Sequence, residues 1–204
     1  ERALEQMLDE ADSPEVTRFL RAVDVRIDGF RVEKAPEGRG QRVFVKHEVD
    51  GKGYELRLSE ESAGTQKLMG LAAFLLAALE RGGTVVVDEL DAKLHPKLLR
   101  YVILLFKDPE VNKHGAQLIF SSQDVSTMRN DVFRRDEIWF AARGEGEASQ
   151  LWSLADIHEA NGNLVSKNAA FDKQYLSGRY GADFACAVFG ELAFSGLAEV
   201  GYEF

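Results

Sequence analysis

The sequence is poor in cysteine, in positive charge and in long apolar runs, and each shortage excludes a class of protein. The single Cys186 among 204 residues excludes an internal disulfide framework and fits a reducing, cytoplasmic environment. With 25 basic against 34 acidic residues, the net charge of −9 argues against nucleic-acid binding over the whole surface, although a local basic patch is left open. No apolar run approaches the roughly 20 residues that span a bilayer, so we expect no membrane segment.

What the chain does contain is the composition of a soluble globular protein, with 45% hydrophobic and 29% charged residues. Its length suits one medium domain or one large lobe. Residues 2–10 have helical composition, and DSPEVTRFL offers Ser13 as N-cap and Pro14 at the first helical position. We therefore expect a short helical segment at the N-terminus.

Hydrophobic periodicity divides the rest of the chain into strands and helices. Apolar and polar residues alternate in three segments, which predicts strands and, around the turn DGKG, a β-hairpin: VDVRIDGFRVE, QRVFVKHEV and YELRLS. Apolar residues at helical spacing from Leu68 to Leu79 predict a helix that ends at Gly82 and Gly83. The buried strand TVVV, a helix from Pro96 and the strands AQLIFSS and EIWFAAR follow. This order predicts an α/β fold with a mainly parallel sheet flanked by helices.

Two adjacent acids end the strand TVVV within the run TVVVDELDAKLHP. In a parallel α/β sheet, functional groups collect at the carboxyl ends of the strands, where Asp88 and Glu89 stand. Asp88 can hold Mg²⁺ there, directly or through water, and Glu89 can position or deprotonate an attacking water. Taken alone, the pair is equally compatible with a surface turn after a core strand.

Polar groups on both sides of the acids indicate an anion site at the same sheet edge. Ser62, Ala63 and Gly64 stand immediately before the amphipathic helix, where backbone N–H groups and a serine hydroxyl can bind an anion. Ser62 could equally be an ordinary N-cap. Asp91 and His95 lie just past the acids. The strand LIFSSQD ends in further polar residues, Ser121, Ser122 and Gln123.

In this order and spacing, the four segments resemble the second half of an ABC-type ATPase head. They are most similar to the branch that contains the RecF/Rad50/SMC heads and the AAA15 or overcoming-lysogenisation-type ATPases. ESAGT resembles the signature loop, TVVVDE the Walker B motif, LDAKLHP the D-loop and LIFSSQD the switch loop. The ending YLSGRYGA resembles the tail of AAA15 proteins. The likeness covers roughly residues 55–182 and implies a P-loop NTPase fold.

The resemblance implies ATP and Mg²⁺ as cofactors and a role for each candidate residue. Asp88 would hold the magnesium, Glu89 would be the catalytic carboxylate, and Gln123 would stand beside the γ-phosphate. The other candidates would contact the nucleotide or the seam of a head-to-tail dimer: Ser62, Ala63, Gly64 and Thr65 in the signature loop, and Asp91 and His95 in the D-loop.

The sequence departs from the family pattern in two loops. No G-x-x-x-x-G-K-[ST] run occurs, so hydrolysis would require a phosphate loop from upstream sequence or from another chain. Gln123 stands where the family usually has His, and its amide can donate a hydrogen bond but cannot carry a proton or a positive charge. A natural variant and a deliberate replacement that slows hydrolysis both stay open. Thr65 and His95 also replace the more common Gln and Asp, as suits the AAA15-like branch.

These features predict the C-terminal part of a longer protein, and the start at Glu1 rather than Met fits that expectation. Residues 1–22 would be the returning end of a helical insertion. Residues 23–182 would be the C-terminal portion of an ABC-type ATPase domain, and residues 183–204 a C-terminal tail.

The expected function is that of a head that binds and hydrolyses ATP and dimerises around ATP and Mg²⁺. It would control a partner effector protein, a nuclease or a toxin, in bacterial anti-phage defence. DNA repair or DNA-end handling is the alternative within the same branch. A nucleotide-gated scaffold with little turnover is the alternative from another class.

Overall fold

The computed structural model describes residues 14–22, 27–34, 41–143, 148–159 and 161–181. The chain divides into two compact units, Glu1–Asp124 and Val125–Phe204. Of the predicted end of a helical insertion, the described residues include only 14–22, and the predicted tail at 183–204 lies outside them. Among the helices in these described ranges, none is both long and apolar enough to cross a membrane.

The first unit opens with a short helix and a three-stranded antiparallel sheet in the order β1-β2-β3. Phe19 and Leu20 of the helix and Phe30 and Val45 of the sheet are buried. The elements are α1 (Pro14–Ala22), β1 (Gly29–Lys34), β2 (Gln41–Val49) and β3 (Lys52–Arg57). The predicted hairpin is confirmed: Asp50 and Gly51 connect β2 to β3 with φ angles of 52° and 73°, and a two-residue type I′ turn requires positive φ at both positions.

Helices alternate with strands in the remainder of this unit. The elements are α2 (Ala63–Arg81), β4 (Thr84–Val87), α3 (Pro96–Lys107) and β5 (Gln117–Phe120). Gly82 ends α2 in the left-handed conformation at φ 75°, because a residue without Cβ reaches that region at little cost. β4 and β5 pair in parallel, with Val86 opposite Ile119. Their carboxyl ends therefore lie side by side.

The core of the first unit covers only one face of the β4–β5 pair. Ala78, Leu79 and Ala116 form a buried cluster against which Val85 packs. On the other face the side chains of Val86 and Ile119 are 73% and 56% exposed. The sequence predicted TVVV as a buried strand, and that expectation is wrong: Thr84 and Val86 are exposed, and Val85 and Val87 are only half-buried.

The second unit is a small antiparallel ribbon with a short helix. Its elements are β6 (Trp139–Arg143), β7 (Ser149–Ser153) and α4 (Phe171–Leu176). Phe140 stacks on Tyr175 with ring centroids 5.7 Å apart and packs at 5.4 Å against Tyr180. Leu154, Val165 and Phe171 complete this core with almost no exposure.

The predicted mainly parallel sheet is found only as the β4–β5 pair, and the other described pairings are antiparallel. The strand EIWFAAR was expected to continue a parallel sheet, yet β6 pairs with β7 across a short connection. A connection of a few residues favours antiparallel pairing, since a parallel pair needs a crossover of a dozen or more residues. The described residues are thus a mixed α/β structure of small sheets and helices.

Candidate functional site

The loop after β4 carries the two acids and is held by the end of β5. The Ser121 hydroxyl donates to Asp88 Oδ1 at 2.5 Å, and the same Oγ accepts the Glu89 N–H at 2.7 Å. The Leu90 N–H donates to the Ser121 carbonyl at 3.0 Å. Ser121 therefore fixes both acids where the carboxyl ends of the two parallel strands meet.

Glu89 has an unusual backbone conformation and an exposed carboxylate. Its φ of 49° lies in the left-handed region, which costs a non-glycine residue about 1 kcal/mol and so needs support from its neighbours. The residue is exposed, and within the described part of the chain its carboxylate forms no hydrogen bond or ion pair. A carboxylate in this state can accept a proton from a water molecule or from a ligand.

Asp91 joins the loop to the segment after β5. Its Oδ2 accepts the backbone N–H of Gln123 at 3.3 Å. Its Oδ1 is buried, and no donor reaches it from the residues that the structure describes. A buried carboxylate oxygen without a donor is costly, so this atom is placed to receive a hydrogen bond or a cation. The Gln123 residue is exposed.

Ser62 and Thr65 satisfy each other at the start of α2. Ser62 Oγ accepts the Thr65 N–H at 3.1 Å and lies 2.8 Å from the Thr65 hydroxyl, and Thr65 is buried. Ser62 is thus the N-cap of α2, as the simpler interpretation of the sequence allowed. Ala63 is exposed and Gly64 half-buried in the first turn.

The first turns of α2 contact the acid loop directly. A Cβ on Gly64 would lie 3.0 Å from the Lys93 carbonyl oxygen, so this approach favours glycine. Lys67 Nζ donates to the Glu89 carbonyl at 2.5 Å. Burial lowers the pKa of the Lys67 ammonium, against the opposing effect of the negative charges on Asp91 and Glu89. The structure therefore brings the start of α2, the acid loop and the end of β5 together within one unit.

His95 caps the next helix. Its Nδ1 accepts the Lys97 N–H at 3.2 Å, and Pro96 follows at the first position of α3. The residue is exposed. Its expected place at a dimer seam stays a prediction.

Two contacts at this site were not found from the sequence. Lys67 follows Gly64 by three residues and so shares its helix face, which is the signal that could have identified it. His47 of β2 lies 2.6 Å from Glu61, and their side chains are only 20% and 10% exposed. That pair holds the β2–β3 hairpin against the residue just before Ser62.

The chemistry of the donor groups fits a magnesium ion at Asp88. Asp88 is exposed, and among the described residues only its Oδ1 forms a hydrogen bond, so its second oxygen is open to a cation. In the described ranges, no group of three or more His, Cys, Asp or Glu side chains could hold a metal. Mg²⁺ needs no such cage, because it takes one or two carboxylates and completes its shell with waters and phosphate oxygens.

Comparison with known proteins identifies the family. A family model described as "AAA domain, putative AbiEii toxin, Type IV TA system" matches residues 3–129. Among proteins of curated function, none matches this chain. A solved structure described as "Structural biochemistry of ATP-driven dimerization and DNA stimulated activation of SMC ATPases" is 17% identical with a TM-score of 0.43, covering 68% of this chain and 88% of that one. Because the family model matches more than half of the 204 residues, the chain belongs to this family of AAA ATPase domains.

Proposed function

We propose that this chain is the Walker B part of a P-loop NTPase head of the ABC type, in the RecF/Rad50/SMC-like and AAA15-like branch. The head binds and hydrolyses ATP and dimerises head to tail around the magnesium-bound nucleotide. Asp88 holds Mg²⁺, Glu89 takes a proton from the attacking water, and Gln123 donates a hydrogen bond to the γ-phosphate. Residues 62–65, Asp91 and His95 contact the nucleotide or the seam of the dimer.

One observation carries this proposal: Ser121 binds both acids through a single oxygen atom. That contact places Asp88 and Glu89 at the joined ends of two parallel strands, with the Glu89 carboxylate exposed and unpaired among the described residues. Ligands of open α/β sheets bind at this edge. A simple surface turn needs no hydroxyl that bridges a carboxylate to the neighbouring amide.

The exposed face of β4 and β5 is an argument that a further polypeptide segment, the one that supplies the phosphate loop, binds to this unit. Val86 and Ile119 are large apolar side chains on that face, and the 204 residues contain no phosphate-loop run. Covering the two side chains would contribute about 1.5–3 kcal/mol each. We propose that the polypeptide carrying the phosphate loop packs against this face.

The test compares phosphate release and self-association in the full-length protein that carries these residues. Glu89→Gln removes the proton acceptor and keeps the size of the side chain. We expect it to lower ATP turnover by about 100-fold or more, as loss of a general base does. Dimerisation driven by ATP and Mg²⁺, measured by light scattering, should persist. Glu110→Gln, at an exposed position after α3, is the matched control and should behave as wild type.

Equal turnover in the Glu89→Gln variant and in wild type would overturn the assignment of Glu89. Dimerisation that does not respond to ATP would overturn the proposal that the nucleotide is bound between two subunits.

A second candidate function is a nucleotide-gated scaffold, and Gln123 favours it. The glutamine amide cannot carry a proton or a positive charge at the γ-phosphate, which would slow hydrolysis. On this alternative the wild-type protein dimerises with ATP and releases almost no phosphate, so Glu89→Gln changes nothing.

We further propose that the dimer controls an effector protein, a nuclease or a toxin, in bacterial anti-phage defence. The matching family is described as "AAA domain, putative AbiEii toxin, Type IV TA system", which supports a toxin-related setting. When the Glu89→Gln variant is purified in the presence of ATP, the effector should co-purify with it. Removal of ATP should release the effector.

A further inference from the structure

Lys67 connects the first turns of α2 to the backbone of the acid loop. Its ammonium donates to the Glu89 carbonyl at 2.5 Å, across 22 positions of sequence. The carboxylates of Asp91 and Glu89 attract this ammonium, and the nearby ammonium of Lys93 repels it. A lysine that only covered apolar surface would keep its ammonium in water, whereas the ammonium of this half-buried residue donates to a carbonyl.

The Glu89 carboxylate depends on its backbone for position. Within the described residues it has no hydrogen-bond partner, so its position depends mainly on the main chain that carries it. That main chain is left-handed at φ 49° and relies on three contacts. Ser121 Oγ accepts the Glu89 N–H, while the Glu89 carbonyl accepts from the Ala92 N–H at 3.0 Å and from Lys67. Lys67 supplies the contact that comes from α2.

The other two hydrogen-bond partners of the Glu89 backbone lie at the end of β5 and in the loop itself. Ser121 follows β5, and Ala92 is three residues along the same loop. The Gly64 approach to the Lys93 carbonyl brings α2 and the loop together but makes no hydrogen bond to Glu89. Loss of the Lys67 contact would therefore remove the hydrogen bond between α2 and the Glu89 backbone without breaking the attachment of the loop to β5.

We propose that Lys67 is a positioning residue, which holds the Glu89 backbone in its left-handed conformation and ties the acid to the signature-loop helix. This inference rests on the proposed function for its catalytic consequence, but the contact can be tested without it. Any movement of the first turn of α2 would reach Glu89 through this side chain.

The first test is amide hydrogen exchange of the full-length protein, followed on the peptide that covers residues 88–94. Lys67→Met keeps the length of the side chain and removes the ammonium. We expect exchange of this peptide to accelerate about 10-fold, as loss of one charge-assisted hydrogen bond predicts. Lys67→Arg should restore most of the protection. Lys97→Met, an exposed position in the first turn of α3, is the matched control and should match wild type. Unchanged exchange in Lys67→Met overturns the proposal.

The second test separates positioning from general stability through steady-state ATP hydrolysis. Lys67→Met should lower kcat about 10-fold or more while KM changes less than about 2-fold, and Lys67→Arg should recover part of kcat. A change in KM alone, or an unchanged kcat, contradicts a positioning role. Absence of hydrolysis in wild type would instead count against the proposed function, and the exchange experiment would still decide the role of Lys67.

Discussion

Ser121 shows how much of the site depends on a single atom. Its Oγ donates to Asp88 and accepts from the Glu89 amide, so one hydroxyl sets the relation between two acids that differ in proposed role. This hydroxyl uses its one hydrogen and one of its lone pairs, so a rotation of the side chain would break both hydrogen bonds. The proposed metal ligand and the proposed base thus share one support.

Tyr180, in the second unit, is expected to make the stability of the protein depend on pH in the alkaline range. Burial raises its pKa to about 12, and the residue is 3% exposed with its hydroxyl donating to Gln174 Oε1 at 2.7 Å. An unfolded chain ionises tyrosine near pH 10. Between about pH 10 and pH 12 the unfolded state loses a proton that the folded state keeps, so stability present below this window should fall as the pH rises through it.

The measurement is denaturant unfolding of wild type, Tyr180→Phe and Tyr54→Phe as a function of pH. Tyr180→Phe should lose about 1 kcal/mol at neutral pH with its hydrogen bond, and should show a shallower alkaline decline. Tyr54 is 51% exposed, so its replacement should preserve the wild-type profile. Parallel alkaline curves for all three proteins would refute the role of Tyr180.

At the scale of the element, helix α2 begins beside the acid loop and ends at Gly82, where the backbone conformation and a close neighbour both favour glycine. Gly82 has φ 75°, and a Cβ there would lie 2.4 Å from the His114 carbonyl oxygen. Gly82→Ala should therefore lower the free energy of unfolding by at least about 2 kcal/mol. Gly70 lies inside the same helix with open space around its missing Cβ. Gly70→Ala should stabilise by about 0.5–1 kcal/mol, because alanine loses less backbone entropy.

Both variants are measured by urea unfolding monitored by circular dichroism. Equal destabilisation by the two alanines would show that α2 does not end as described. A tolerated Gly82→Ala would mean that the contact with His114 is not maintained in solution.

The helix ends and the hairpin turn could be predicted from the sequence because short-range turn and cap residues specify them. The hairpin turn, the Gly82 end of α2 and the Pro96 start of α3 were all predicted, since turn and cap residues act through nearby backbone. Strand pairing was predicted less well. TVVV and EIWFAAR are both apolar, but an apolar run does not specify its partner or which face is covered, so the antiparallel pairing of β6 and the exposure of Val86 could not be foreseen.

The sequence predicted which residues of the candidate site lie close together, but it did not predict the hydrogen bonds between them. Strand direction predicts that the acids and Ser121 lie at the ends of two parallel strands, and the structure does bring Ser121 into contact with Asp88 and Glu89. The Ser121 bridge, the unpaired Asp91 oxygen and the Lys67 contact depend on side-chain rotamers and on a left-handed backbone at Glu89. No sequence pattern encodes those. The roles of these residues in ATP chemistry stay predictions.

At the scale of the whole molecule, each unit presents an apolar sheet face to solvent. Val86 and Ile119 are exposed in the first unit, and Trp139 and Leu151 are 58% and 67% exposed in the second. Contiguous apolar faces of this kind are commonly interaction surfaces. The face in the first unit adjoins the strand ends that carry the acids, which is where the proposed phosphate-loop segment would have to pack.

The central claim is that Asp88 and Glu89 serve a magnesium-bound nucleotide, and a structure of the full-length protein with Mg²⁺ and a non-hydrolysable ATP analogue tests it most directly. The claim predicts Mg²⁺ bound to Asp88, directly at about 2.1 Å or through one water. It also predicts Glu89 against the water that faces the γ-phosphate, with residues 62–65 of a second subunit on that phosphate. A nucleotide bound away from the ends of β4 and β5, or an Asp88 that takes no part in binding the metal, would contradict it.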